Sequence, residues 1–346
     1  MNIQEFISNY HNHPVLFIGT GMSLRYLENS YSWNSLLQKI ASDFNPDPEY
    51  YLDLKAEHMQ STGYAYEQIA AQIEKDFNQC LKENRHGKFE YINDLFYENI
   101  RNGTNISRFK LYLADLLKEV IIKDSALPEI AELKKARKNI SSVITTNYDQ
   151  MIEQLFSFNP LIGNDILLSN PYGSVYKIHG CVTQPGKIII TENDYEEFNR
   201  KYELIRAQLL SLFIHNPIIF IGYNIGDKNI KDILRTIFSY VDYNSDEAKK
   251  IRDNFLLIEY ENGSENTEVM EHDIDIEGFE TIRINKLKTD NFIAVYQAIA
   301  NLILPVSAMD IRKVQTVVRE ICEGGAIEVS ITEDLDELDN ADKVLV

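Results

Sequence analysis

The chain has 346 residues, of which 44% are hydrophobic and 11% aromatic, so it is long enough and apolar enough to bury a large core. Its formal net charge of −19 argues against tight, non-specific binding to nucleic acid, which needs clustered lysines and arginines. The three cysteines, Cys80, Cys181 and Cys322, form no close pair, which argues against a zinc ribbon and a disulfide framework and favours the reducing cytoplasm.

The sequence shows no sign of targeting to a membrane. The N-terminal segment lacks a basic stretch followed by a long apolar run. No segment approaches the stretch of about eighteen apolar residues that a membrane-spanning helix requires. We therefore expect neither a signal peptide nor a membrane span.

The first strand and helix are followed by a long helical stretch. The apolar run Pro14–Ile18 predicts a buried strand that ends in Gly-Thr-Gly, and Trp33–Phe44 has helical spacing with Ser32 as its N-cap. From about residue 50 to residue 138 the apolar pattern is almost wholly helical. We interpret this stretch as a helical insertion and not as a separate fold.

Strands and helices alternate again after the insertion. The pattern predicts strands at Ile140–Thr145, Val175–Ile178, Lys187–Ile190, Pro217–Ile221, Phe255–Ile258 and Thr281–Ile284. It predicts helices at Asp149–Phe156, Asp194–Ile214, Asn229–Tyr240 and Ile293–Leu304. This order is typical of an α/β, Rossmann-like fold, a parallel sheet with helices on both faces, in which ligands bind beyond the carboxyl ends of the strands.

The last segment differs from the rest of the chain. Ile311–Ile321 predicts a helix, Ile327–Ile331 predicts a strand, and Glu333–Asp342 is densely acidic. We therefore divide the chain into an α/β domain at 1–305 and a C-terminal segment at 306–346, which we expect to serve in docking.

A glycine-rich turn, Gly19-Thr20-Gly21-Met22-Ser23, directly follows the first strand. Glycines here would let the backbone approach a pyrophosphate, and the next helix would offer free N–H groups to it. The pattern lacks the full GxGxxG, so an ordinary strand-to-helix turn is an equal alternative.

A second polar motif, Thr145-Thr146-Asn147-Tyr148-Asp149, also begins where a strand ends. Asparagine and aspartate are common helix caps, so Asn147 or Asp149 could simply cap the next helix. Alternatively, the uncharged amide of Asn147 points into the cleft and holds a ribose hydroxyl or a water.

Two more motifs follow strands. His179-Gly180 comes after Val175–Ile178; a lone histidine is more often structural, but histidine can act as a base near neutral pH without a large pKa shift. The segment from Gly222 to Asp227 is either an ordinary loop or a second wall of a nucleotide site, with Gly222 allowing close approach and Asp227 fixing the loop.

The four motifs together resemble the sirtuin family. That family shows a Gly-Ala-Gly-x-Ser opening, a Thr-x-Asn-x-Asp motif, a His-Gly pair and a later Gly-Ser/Thr-rich loop in the same order, and the resemblance spans about residues 13 to 304. Sirtuin deacylases carry four zinc cysteines after the His-Gly pair, whereas this chain has only Cys181 there. The opening motif also continues as Leu24–Tyr31 and Ser32-Trp33 where sirtuin deacylases have Gly-Ile-Pro-Asp-Phe-Arg. This stretch, the helical insertion and the segment Thr191–Tyr195 resemble the bacterial sirtuin-like NADase branch found in anti-phage systems.

The resemblance implies roles for the motif residues. Asn147 would hold the ribose or the attacking water, and His179 would act as general base. Asp149 would orient its loop, and Thr145 is part of the same cofactor-binding set. The pyrophosphate would be bound by Gly19, Thr20, Gly21 and Ser23. The adenosine side would be lined by Gly222, Tyr223 and Asp227.

The resemblance also implies a function. NAD would be the substrate, nicotinamide and ADP-ribose the products, and no metal would take part. Because an unrestrained NADase would kill its host, we expect gating through a homo-oligomer, a small ligand or a partner such as a HerA-type ATPase or a phage-sensing protein. The alternatives are an NAD-dependent deacylase or ADP-ribosyltransferase, and a non-catalytic sensor of NAD or ADP-ribose.

Overall fold

The computed structural model describes residues 1–61, 63–168, 171–201, 203–223, 235, 245–274 and 282–322. Its strands are β1 (Val15–Ile18), β2 (Met59–Gln60), β3 (Gly63–Tyr64), β4 (Val143–Thr145), β5 (Asn159–Ile162), β6 (Ser174–Lys177), β7 (Ile218–Ile221), β8 (Phe255–Tyr260), β9 (Met270–Ile274) and β10 (Ile282–Thr289). Eight of them form one sheet in the order β5-β6-β4-β1-β7-β8-β10-β9, and β2 and β3 form a separate small hairpin.

The helices of the first half are α1 (Ile3–Ser8), α2 (Thr20–Tyr26), α3 (Trp33–Phe44), α4 (Tyr50–Glu57), α5 (Tyr66–Glu83), α6 (Glu90–Arg101), α7 (Arg108–Leu117) and α8 (Leu127–Ala136). Those of the second half are α9 (Met151–Phe156), α10 (Glu192–Lys201), α11 (Glu203–His215), α12 (Asp246–Asn254), α13 (Phe292–Ala300) and α14 (Ala308–Cys322). The predicted α/β, Rossmann-like class is confirmed.

The register of the sheet places the four motifs side by side. All neighbouring strands of the large sheet are parallel except β9 and β10. In the central strands, Ile18 pairs with Thr145 on one side and Ile221 on the other, and Thr145 pairs with Lys177. These four residues end their strands, so the motifs that follow them leave the same edge of the sheet, where its strand order reverses.

The sheet is buried on both faces. In β1, Leu16 and Ile18 pack into one apolar cluster with α1, α8 and α13, while Val15 and Phe17 pack into another with α11. All four side chains have no exposed surface. Burial on both faces explains why β1 is a continuous apolar run and not an alternating one.

A third apolar cluster fills the helical stretch that begins with α3. It contains Leu37 and Phe77 from the helices, together with Tyr148, Cys181 and Ile190 from the loops after β4 and β6. The helices from α3 to α7 therefore share a core with the loops that carry two of the motifs.

One element prediction needs correction. The segment Lys187–Ile190 is not a strand: a 3₁₀ turn covers Pro185–Lys187, and Ile188 and Ile190 pack into the third cluster instead of joining the sheet. The helix expected at Asp194–Ile214 is helical at all its described residues, in α10 and α11, and residue 202 between them lies outside the described residues. The predictions for Ile327–Ile331 and the acidic stretch fall outside the described residues, as does Asn229–Tyr240 apart from residue 235, which is helical. In the part of the chain that is described, no helix is long and apolar enough to cross a membrane.

Candidate active site

Three glycines bring the turn after β1 against the end of β7. The N–H of Gly19 donates to Ile221 O and that of Gly21 to Gly222 O, each at 2.9 Å. A Cβ on Gly19 or Gly21 would lie within 2.8 Å of Gly222 or Tyr223 atoms, and Gly222 has a φ of +81°. The glycines are therefore required for close backbone packing, and the N–H groups of Gly19 and Gly21 are already engaged.

Asn147 is the centre of a buried hydrogen-bond network. Its Nδ2 donates to Gly19 O at 3.0 Å and to Ser23 Oγ at 2.9 Å, while Ser23 Oγ donates to Asp149 Oδ2 at 2.6 Å. Because the single hydroxyl hydrogen of Ser23 goes to Asp149, its oxygen can only accept from Asn147, which fixes the orientation of the amide. Asn147 Oδ1 is buried and accepts no hydrogen bond from any described residue.

A buried ion pair supports the loop that carries Asp149. The Lys177 ammonium donates to the backbone carbonyl of Asp149 and lies 3.0 Å from Glu153 Oε1. Only 1% of the Lys177 side chain and 7% of the Glu153 side chain are exposed. Asp149 also contacts the start of the following helix, since its Oδ1 accepts from Met151 N at 3.0 Å, while Gln150 occupies the N-cap position. Asp149 thus joins Ser23 to the start of α9.

His179 lies in an aromatic environment next to these loops. Its Nδ1 is 3.4 Å from Tyr195 Oη, and its ring packs edge-on against Tyr195 and Phe198. Burial lowers the pKa of the His179 imidazole to about 4, so the ring is neutral near pH 7. Gly180 follows with a φ of +90°, and a Cβ there would lie 2.4 Å from Lys187 O. Although a histidine needs no large pKa shift to act as a base near neutral pH, burial has shifted the pKa of this ring downward.

Thr145 and Tyr223 join neighbouring strands. Thr145 Oγ1 donates to Ile18 O at 2.8 Å, across from β4 to β1. Tyr223 Oη lies 2.9 Å from Thr146 Oγ1 and donates to Ile18 O at 3.3 Å. Its ring packs 5.4 Å from that of Phe17. The hydroxyl groups of both residues are therefore tied to the sheet.

A cavity of about 50 Å³ adjoins the Asn147 network. Its polar walls are Thr20, Ser23, Asn29, Ser30, Asn147 and Asp149. Its remaining walls are leucine, isoleucine and aromatic side chains, among them Tyr31, Trp33 and Leu117. Ligand sites usually enclose about 300–1,000 Å³, so this cavity is too small for a dinucleotide in its present form.

The structure brings some of the predicted site residues together and leaves others apart. Thr20, Ser23, Asn147 and Asp149 line the cavity, whereas Gly19, Gly21, Thr145, Gly222, Tyr223 and His179 do not. His179 lies behind the wall, since Tyr195 contacts it and Trp33 packs 6.2 Å from the Tyr195 ring. Asp227 lies outside the described residues.

The site also contains residues that sequence reasoning missed. Asn29, Tyr31 and Leu117 line the cavity, and the Lys177–Glu153 pair supports the loop that carries Asp149. A buried strand that ends in a lysine was the one signal for Lys177. Asn29 and Tyr31 lie in a loop and Leu117 lies at a helix end, where no periodic pattern marks a residue as part of a site. Among the described residues, no three histidine, cysteine or acidic side chains are grouped to hold a metal ion.

Comparison with known proteins points to one family. Residues 141–277 match the family model described as SIR2-like domain, so the resemblance expected from the motifs is confirmed. Defense-associated sirtuin 2 of Bacillus subtilis is 31% identical over 108 residues, which are 29% of this chain and 11% of that protein.

Two further relatives cover more of the chain. NAD(+) hydrolase ThsA of Enterococcus faecium is 22% identical over 293 residues, 80% of this chain and 52% of that protein. NAD(+) hydrolase ThsA of Cytobacillus dafuensis is 23% identical over 244 residues, 68% of this chain and 40% of that protein. The chain thus spans about half or less of the length of these relatives.

Proposed function

We propose that the protein is an NAD hydrolase that cleaves the bond between nicotinamide and ribose, giving nicotinamide and ADP-ribose. The observation that carries this proposal is Asn147 Oδ1, a buried acceptor without a donor among the described residues, held in a fixed orientation beside a cavity at the carboxyl edge of the sheet. The similarity to two proteins named as NAD(+) hydrolases supports it.

Cleavage of this bond depends more on how the substrate is positioned than on a strong acid or base. The nicotinamide of NAD is already a cationic leaving group, and cleavage passes through a transition state with oxocarbenium character. An amide oxygen that accepts from a ribose hydroxyl or the attacking water holds the reacting atoms in line without adding charge. Asn147 can do this because its Nδ2 is fully engaged and Oδ1 is left for the substrate.

His179 serves as the general base in this proposal. A neutral imidazole can accept a proton from a ribose hydroxyl or a water. The ring lies behind Tyr195 and Trp33, so it reaches the substrate when the cavity walls separate.

The other motif residues hold the dinucleotide. Thr20, Ser23 and Asp149 line the cavity, and the backbone packing of Gly19, Gly21 and Gly222 shapes the surface on which the pyrophosphate would lie. We assign Thr145 to the support of this surface, and Tyr223 and Asp227 to the adenosine side. No metal takes part in the proposed reaction.

The proposed setting is anti-phage defence by depletion of NAD, as the name of the Bacillus subtilis relative suggests. A cavity of about 50 Å³ supports gating, since the site must open before it binds NAD. We propose that a homo-oligomer or a partner, such as a HerA-type ATPase or a phage-sensing protein, controls this opening.

Replacing Asn147 tests the proposal. We expect Asn147→Ala to lower the rate of NAD loss by at least about 100-fold, because the substrate loses its positioned acceptor. His179→Ala should have a similar effect. The measurement is separation of nicotinamide and ADP-ribose after incubation of the full chain with NAD, and Asn262→Ala, an exposed loop residue, is the control.

Two outcomes would contradict the proposal. If Asn147→Ala and His179→Ala both consume NAD at the wild-type rate, the site assignment is wrong. If the wild type neither consumes NAD nor gains thermal stability from it, the function is wrong. Nicotinamide release that depends on an acylated peptide or a protein acceptor would identify the deacylase or transferase alternative, and stabilisation without turnover would identify a sensor.

A further inference from the structure

A second buried acceptor belongs to the same cavity. Asn29 lies between α2 and α3, and its Nδ2 donates to the backbone carbonyl of Glu119 at 2.8 Å. A carbonyl can only accept, so the Asn29 amide has one possible orientation. Its Oδ1 is buried and accepts no hydrogen bond within the described part of the chain. Asn29 and Asn147 thus each present a fixed amide oxygen that lacks a donor.

The rest of the cavity restricts what can supply those donors. Aromatic and aliphatic side chains, including Tyr31, Trp33 and Leu117, form most of its wall, which suits a flat apolar group. The two amide oxygens and the Asp149 carboxylate disfavour an anionic group in direct contact with them. The matching ligand is therefore an aromatic ring that carries N–H or O–H donors and no negative charge.

We propose that Asn29 is a specificity-determining residue whose Oδ1 accepts a hydrogen bond from the carboxamide N–H of the nicotinamide group. This inference rests on the proposed cleavage of NAD, and it leaves Asn147 to the ribose. Asn29 then distinguishes a carboxamide from a carboxylate, because a carboxylate has no hydrogen to donate and repels the amide oxygen.

The test compares NAD with nicotinic acid adenine dinucleotide, in which a carboxylate replaces the carboxamide. We expect wild-type kcat/KM to favour NAD, and Asn29→Ala to reduce that preference by about 10- to 100-fold, the range for one unsatisfied buried hydrogen-bonding group. Asn29→Asp should retain the preference, since a carboxylate side chain still accepts from the N–H and repels the acidic analogue. Asn262→Ala serves as the control for a general effect of asparagine removal.

The Asn29→Asp variant separates recognition from structural support. Both variants lose the hydrogen bond to Glu119 O. If Asn29 had only a structural role, each variant would therefore show the same loss of kcat/KM for NAD and for nicotinic acid adenine dinucleotide, and the preference for NAD would not change. An unchanged preference in Asn29→Ala would overturn the inference. It would be overturned equally if Asn29→Asp lost the preference.

Binding to the full chain distinguishes this inference from the proposed function. Calorimetric titration with nicotinamide and with nicotinate requires no turnover. The wild type could cleave no NAD and still bind nicotinamide more tightly than nicotinate. If Asn29→Ala then abolishes that difference in affinity, the proposed function is wrong and the proposed role of Asn29 is supported. If NAD is cleaved and neither preference depends on Asn29, the role of Asn29 fails and the function stands. Absence of both cleavage and binding would overturn both.

Discussion

The orientation of Asn147, whose Oδ1 has no donor among the described residues, arises from the connectivity of its neighbours. Ser23 has one hydroxyl hydrogen, and Asp149 takes it, so Ser23 can only accept from the Asn147 amide. The other Nδ2 hydrogen goes to a backbone carbonyl. Each residue is common in loops, and none is unusual in the sequence. Their combination produces a directed acceptor because the register of β1 and β4 places them side by side.

The pKa of His179 leads to a prediction about pH. The folded protein holds the pKa of the imidazole at about 4, below the ordinary 6.5, so the ring is neutral above about pH 4 and becomes protonated only below it. If His179 is the base, kcat/KM for NAD should stay level from pH 7 to about pH 5 and fall as the pH drops through about 4.

A pH series with a fold monitor checks this expectation. Circular dichroism at each pH separates loss of activity from acid unfolding, and His86→Ala, at an exposed histidine, should give the same profile as the wild type. A half-maximal rate near pH 6.5 would mean that the titrating base is solvated and is not the buried His179 ring.

At the scale of elements, the packing of the β1–α2 turn against the end of β7 shapes the site. Gly222 has a φ of +81°, and a Cβ there would lie 2.5 Å from Met22 N. The sequence marks this position as a glycine after an apolar strand. The sequence does not show that the purpose is contact with Gly19 and Gly21, because the partner lies about two hundred residues away along the chain.

Gly222→Ala should be strongly destabilising. A left-handed alanine costs about 1–2 kcal/mol on its own, and the steric overlap adds to that. We expect a total loss of at least about 2 kcal/mol in the free energy of unfolding, measured by urea denaturation, and weaker binding of NAD.

A matched glycine isolates the contact. Gly263 has a φ of +71°, and a Cβ added there would meet no atom within 4 Å, so Gly263→Ala reports the backbone cost alone. The difference between the two variants then measures the steric overlap at Gly222. If Gly222→Ala and Gly263→Ala lose the same free energy of unfolding, the backbone around Gly222 can shift to accept a Cβ, and the close packing there is not required for stability.

One element prediction was wrong for a physical reason. The run at Lys187–Ile190 is apolar because Ile188 and Ile190 pack into the third apolar cluster, and periodicity alone cannot tell such a loop from a buried strand.

At the scale of the whole molecule, the helices from α3 to α7 share one core with the sheet loops. The third apolar cluster joins α3, α5 and α7 to Tyr148 and Cys181, and Leu117 at the end of α7 reaches the cavity. A shift of these helices therefore changes the cavity wall directly, which suits the proposed gating. We retain 1–305 as the proposed catalytic domain and 306–346 as the proposed docking segment.

The C-terminal segment carries a prediction about assembly. On α14, Arg312 donates to Ile140 O and Arg137 O, while Val314 and Val318 are 44% and 51% exposed. One side of the helix is anchored and another presents apolar surface, as expected of a helix that contacts a second copy of the chain. We expect deletion of 311–346 to lower the number of chains per particle, calculated from the molecular mass measured by light scattering.

Arg312→Gln is the control for that deletion. This variant loses the hydrogen bonds from Arg312 to Ile140 O and Arg137 O but keeps the exposed valines, so the number of chains per particle should not change. An oligomer that survives deletion of 311–346 would refute the docking role.

The sequence by itself determined the α/β class, the central strands with most of the helices, and the row of motifs that follow the strands. These properties depend on local periodicity and on the rule that parallel strands present their carboxyl ends at one edge. Only the tertiary structure decided which motif side chains face the cavity, why the three glycines are needed, that His179 is desolvated, and that Asn29 joins Asn147. Those properties depend on contacts between segments far apart in the chain, and no local pattern encodes such contacts.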